Sequence, residues 1–114
     1  MTMIYEVNLD IAAPAAKAFA DWLPGHIEDM LALPGFIDAS IARVDHDFDD
    51  LACWSVRYRL HDRQALDNYL KTHAERMRAD GLARFGDQLS ASRRILAESQ
   101  NLQAPPHQPE NGYV

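Results

Sequence analysis

Ala52-Cys53-Trp54-Ser55-Val56-Arg57-Tyr58-Arg59-Leu60-His61 decides how the rest of the chain is read. Trp54, Val56, Tyr58 and Leu60 alternate with Cys53, Ser55, Arg57, Arg59 and His61, the period-2 pattern of a strand with one apolar and one polar face. The apolar side needs a cover of helices, and the arginine side is left outward. Residues 3–10 repeat the pattern as a first strand, with Met3, Tyr5, Val7, Leu9 and Ile11 set against Ile4, Glu6, Asn8 and Asp10. Residues 36–45 form a second strand with weaker alternation. It places Ile37, Ala39, Ile41 and Arg43 on one side and Asp38, Ser40, Ala42 and Val44 on the other. The second strand and the Ala52–His61 strand form a hairpin. Its turn, Asp45–Asp50, holds four acidic residues but lacks the glycine and distal glutamate of a calcium loop, and reads as solvated. Residues 88–97 close the sheet as a fourth strand.

Between these strands the period changes to that of helices. After Pro14, the residues Phe19, Trp22, Leu23, Ile27, Met30 and Leu31 fall at three- and four-residue spacings. Pro24-Gly25 is expected to kink or split this helix into 14–23 and 24–32, because proline removes a backbone donor and clashes with the preceding turn. Pro34-Gly35 ends it. Asp62 is placed to cap a second helix whose stripe is Leu66, Tyr69, Leu70, His73 and Met77. That helix is expected to reach about Arg78 before Asp80-Gly81 breaks it, with a short helical piece at 82–85. Strand, helix, strand, strand, helix, strand, joined by right-handed crossovers, predicts an α+β ferredoxin-like domain. Its four-stranded antiparallel sheet has order 4-1-3-2 and carries both helices on one face. The domain spans 1–98, and 99–114, with three prolines in 103–109, reads as a flexible or partner-docked tail.

The 114 residues, 47% apolar, allow one such domain, and a net charge of −6 argues against nucleic acid, whose phosphates are held mainly by Lys and Arg. RNA-binding sheets also expose stacking aromatics, whereas here the strand aromatics lie on the opposite, apolar face. The single cysteine, Cys53, excludes an internal disulfide and any CxxC motif, which points to a reducing cytoplasm. No apolar run approaches the roughly 18 residues of a membrane span, and residues 1–10 lack a basic leader, so neither membrane nor signal peptide is expected. Nucleophile-elbow, P-loop and GxGxxG motifs do not occur.

Two groups of residues remain as candidate sites. On the polar face, Glu6, Asn8, Arg57, Arg59 and Arg94 form a candidate dimer face, with Ser40 and Ser55 beside them. From the fourth strand this face takes either Ser92 and Arg94 or Arg93. Glu6 then has arginines on both sides, and the surface is either plainly solvated or covered by a second copy. On the apolar side, His26 and His73 share stripes with core residues, and with Trp22, Trp54, Tyr58 and Tyr69 they form a candidate cleft for a small apolar or aromatic ligand. Inward histidines could act as a general base or bind an anion; the favoured reading is of core or helix-rim histidines bonded to carbonyls, and of the aromatics as plain core. A metal is not expected, since two histidines need a third ligand that the pattern does not supply. No cofactor is expected.

Met3-Ile4-Tyr5-Glu6-Val7-Asn8, His26-Ile27-Glu28-Asp29-Met30-Leu31 running into Pro34-Gly35-Phe36, and Trp54-Ser55-Val56-Arg57-Tyr58 together resemble an uncharacterised bacterial family, domain of unknown function DUF4286, over about residues 3–97. More distantly, the helix followed by Pro34-Gly35-Phe36 resembles the antibiotic-biosynthesis monooxygenase group of dimeric α/β barrels. That resemblance implies a homodimer closed through the sheet face and a ligand site between sheet and helices. Haem-degrading relatives use an asparagine on the first strand with a tryptophan and a histidine from the second helical region. Asn8 and His73 match in type, but the second helix has no tryptophan and Asn8 faces away from the helices, so haem is not carried over. The function expected is a small-molecule-binding or interaction module acting as a homodimer. The alternative is a cofactor-independent monooxygenase or isomerase. An open cavity reaching His26 or His73 favours the alternative; a space filled by Trp22, Trp54, Tyr58 and Met77 opposes it.

Overall fold

The computed structural model describes residues 1–106; the end of the proposed tail, residues 107–114, lies outside the described residues. Strands β1 (Thr2–Ala12), β2 (Phe36–Arg43), β3 (Leu51–Leu60) and β4 (Leu89–Ser99) combine with helices α1 (Ala16–Leu31), α2 (Arg63–Thr72) and α3 (Ala74–Phe85). All pairings are antiparallel and the order is β2-β3-β1-β4, which is 4-1-3-2 read from the other edge. This is the ferredoxin-like α+β arrangement, with its second helical segment in two pieces. Among the described residues no helix is long and apolar enough to cross a membrane.

The register sorts the two faces. Tyr5 lies opposite Tyr58, Val7 opposite Val56 and Leu9 opposite Trp54. Alternation then puts all six on the helix side, where Tyr5, Val7, Leu9, Val56 and Tyr58 are buried with Phe19, Leu23 and Met30 of α1. Trp54 shares the face but not the depth. It is half-buried near the hairpin end, where Arg43 on β2 sets its guanidinium 4.8 Å from the indole centroid.

Three local expectations are corrected. Pro24 does not split α1, which runs unbroken through it. Pro24 and Gly25 are exposed, so the carbonyl that loses its donor lies on the solvent side, while buried Phe19, Leu23 and Met30 hold both halves against the sheet. The second helix breaks at His73 rather than near Asp80. An unbroken stripe through Leu66 and Tyr69 would press the His73 imidazole into the core. With His73 at φ −121° the chain turns so that Ala74, Met77, Gly81 and Phe85 are buried instead, avoiding a desolvated imidazole. Gly81 is no breaker, because a Cβ there would lie 3.2 Å from Leu89 and 3.5 Å from Trp22. The residue permits a close approach inside α3. Asp62 caps α2 as expected, its carboxylate accepting the Ala65 N–H at 2.8 Å.

Candidate functional site

A cavity of about 260 Å³ lies between the apolar face of the sheet and the helices. Its floor is Tyr5, Val7 and Leu9 on β1 with Tyr58 on β3. On α1, Trp22, His26 and Met30 recur every four residues and so form one stripe along a cavity wall. Tyr69 enters from α2. Met77 and Gly81 line the cavity from α3, and Gly81 leaves room for the Trp22 ring beside it. Exposed residues complete the mouth: Arg78 and Leu82 on α3, with Ala91 and Arg93 on β4.

The rings are organised. His26 stacks on Trp22 with centroids 4.5 Å apart and planes 22° from parallel. Tyr5 lies 5.4 Å from Tyr69 and 6.3 Å from Tyr58. Arg78 Nη2 donates to Tyr5 Oη at 3.0 Å, and Tyr69 Oη approaches Met30 Sδ at 3.5 Å. Burial pushes the Tyr58 and Tyr69 phenols up, so both stay neutral. Burial also holds His26 below the ordinary histidine value, against the pull of Asp80 and Asp29. A neutral imidazole beside an apolar cavity can accept a proton from a molecule held there.

Four of the six cleft residues named from sequence, Trp22, His26, Tyr58 and Tyr69, line this cavity. Two do not. His73 is half-buried at the α2–α3 junction, and Trp54 lies under Arg43. The two histidines therefore do not share the cavity. Arg78 and Arg93 are lining residues that sequence reasoning missed. Arg93 pairs in register with Val7, which puts it on the helix side, while Arg94 pairs with Glu6 on the open side. The parity of β4 was the missing signal. Arg78 lies beside Met77 on α3, which lines the cavity once the break at His73 turns this helix onto the sheet.

On the open face Glu6 is only 2% exposed, although no helix among the described residues covers it. Its own partners do. Arg94 Nε donates to Oε1 at 2.6 Å, Arg57 Nε to Oε2 at 2.8 Å and Asn8 Nδ2 to Oε1 at 3.0 Å. The Arg94 and Asn8 hydrogen bonds lead in lowering its pKa to about 2. Arg59 pairs with Asp38 across β3 and β2. Cys53 on the same face has its thiol pushed up to about 11 by burial, then by Asp10, so it is a protonated thiol without nucleophilic activation. Among the described residues no group of three His, Cys, Asp or Glu could hold a metal ion.

Comparison with solved structures finds the same fold. SnoaB, a cofactor-independent oxygenase from Streptomyces nogalater, is similar at 15% identity and TM-score 0.64, over 91% of this chain and 100% of its own. A proposed antibiotic-biosynthesis monooxygenase from Bacillus cereus is similar at 13% identity and TM-score 0.64, covering 94% of this chain and 100% of its own. An ethyl tert-butyl ether degradation (ethd) family protein from Bacillus halodurans is similar at 18% identity and TM-score 0.62, covering 85% and 99%. Identities this low show a shared fold and not a shared activity. No curated protein matches the chain. A family model, Domain of unknown function (DUF4286), matches residues 2–99.

Proposed function

The chain belongs to this DUF4286 family, and from that premise we propose that it is a small-molecule-binding domain that works as a homodimer, each subunit holding an apolar or aromatic ligand between sheet and helices. The cavity carries the reading: it is preformed, walled mainly by apolar and aromatic side chains, and has a few polar groups at its edges. Its roughly 260 Å³ falls between an engineered cavity of about 150 Å³ that takes benzene and the lower limit of about 300 Å³ for drug-sized ligands. One or two fused rings fit. Isothermal titration of 2-naphthol should saturate in the wild type. It should fail in Ala91→Trp, which fills the mouth from an exposed position and leaves the core intact. Indifference of the wild type to 2-naphthol, or equal binding by both proteins, would overturn the reading.

The dimer half rests on the uncovered sheet face. It carries three carboxylates, Glu6, Asp10 and Asp38, and three arginines, Arg57, Arg59 and Arg94. A surface with both signs can meet its own two-fold copy with opposite charges opposed. Light scattering should give twice the 12.9 kDa chain mass; a particle of single-chain mass contradicts this half alone.

The reach of the cavity to His26 supports a second reading, cofactor-independent oxygenation or isomerisation. His26 would take a proton from carbon next to a carbonyl, leaving an enolate to be reprotonated elsewhere or to react with dioxygen. With 2-tetralone in heavy water, the wild type should speed deuterium uptake at that carbon and His26→Ala should not. Uptake at the uncatalysed rate in the wild type removes this reading.

A further inference from the structure

Building on that cavity reading, we propose that the ligand is an aromatic carboxylate, its rings inside and its carboxylate held at the mouth between Arg78 and Arg93. Both side chains line the cavity, one from α3 and one from β4, so the two elements that frame the mouth each supply a guanidinium. The ion pairs among the described residues use Lys17, Arg57, Arg59 and Arg94; neither Arg78 nor Arg93 has a carboxylate partner there. Among the described residues the one side-chain hydrogen bond of Arg78 goes to Tyr5 Oη, not to a carboxylate.

In a chain with net charge −6, two guanidiniums at the mouth of one apolar cavity, without a carboxylate partner among the described residues, are a charge imbalance that an anion would relieve. Asp29 and Asp80 do not line the cavity; they lie with Ala83 and Arg84 around an adjoining groove that shares Trp22 and His26 with it. A guanidinium presents paired donors that match the two oxygens of a carboxylate, and at a partly desolvated mouth such bonds are strong. Deeper in, Leu23, Met30 and Met77 offer only apolar contact and polarisable sulfur to the ring system.

The test compares 2-naphthoate with its neutral isostere 2-naphthamide by isothermal titration at low salt, with 2-naphthol as the reference for the cavity itself. Naphthoate should bind about tenfold or more tighter than naphthamide, and the gap should narrow as salt is raised. Arg93→Gln, which removes a side chain without any intramolecular hydrogen bond among the described residues, should cut the preference severalfold. Arg78→Gln combined with it should bring naphthoate and naphthamide to equal affinity, whatever the change in the affinity they share. Equal binding of naphthoate and naphthamide by the wild type, with 2-naphthol still bound, overturns the carboxylate proposal and leaves the cavity reading standing. A preference that survives the double substitution also overturns it. Failure of all three probes overturns both.

Discussion

Gly35→Ala is expected to destabilise the protein by about 2 to 5 kcal/mol, two separate costs adding at one atom. Gly35 has φ +87°, a region where a side chain strains the backbone by about 1 to 2 kcal/mol. A Cβ at this position would also lie 2.5 Å from the Ala65 Cβ and 3.4 Å from its Cα, in the first turn of α2. Neither atom belongs to a flexible side chain, so the helix itself must move, and overpacking of this kind costs about 1 to 3 kcal/mol more. The Gly35 carbonyl accepts the His61 N–H at 3.0 Å, which ties the turn to the end of β3 and limits escape in that direction. Urea denaturation measures the loss directly. Because α2 carries Tyr69 into the cavity, 2-naphthol affinity should fall with stability. A loss below about 1 kcal/mol would show that α2 is not held against the turn.

Glu6→Gln is expected to cost about 1 to 3 kcal/mol at neutral pH, within the range for hydrogen bonds to charged groups. The cost stays moderate because the Arg57 and Arg94 side chains are 49% and 63% exposed and regain water once the carboxylate has gone. The pH dependence identifies the cause. The folded carboxyl titrates at about 2 against a reference of 4.5, so the unfolded chain binds more protons between those values. Wild-type stability from this group is therefore complete above about pH 4.5 and lost as pH falls toward 2. Glu6→Gln has no such acid limb. The gap between the two proteins, read from urea midpoints, should be widest at pH 7 and close as pH falls through that window. A gap independent of pH contradicts the assignment.

The faces of β1 and β3 were legible because each turns one apolar side to the helices, and that burial, only partial at Trp54, imposes strict alternation on Tyr5, Val7, Trp54, Val56 and Tyr58. β4 was not legible in the same way. Ser90, Ala91, Ser92, Arg93 and Arg94 contain no large apolar residue to mark a side, so only pairing with β1 shows which arginine faces the helices. The cavity mouth was hidden with it. The break at His73 was invisible for a different reason, since its spacing from Tyr69 and Met77 fits one helix; the preference for burying Ala74 over an imidazole appears only once the sheet lies beneath. For Trp54 the side was readable and the depth was not, because the cavity-lining residues of α1 and α3 lie away from the β2–β3 hairpin end.

On the proposed function, the space between Trp22, His26, Met30, Met77 and the sheet is a binding site rather than loose core. Methyl-resolved NMR during titration with 2-naphthol tests it most directly. Saturable shifts are expected at Met30, Met77, Leu23 and Leu89, which line the cavity, and silence at Ile4 and Leu96, which pair on the opposite face of the sheet. Shifts at Ile4 and Leu96 with the four cavity methyls unmoved would contradict it.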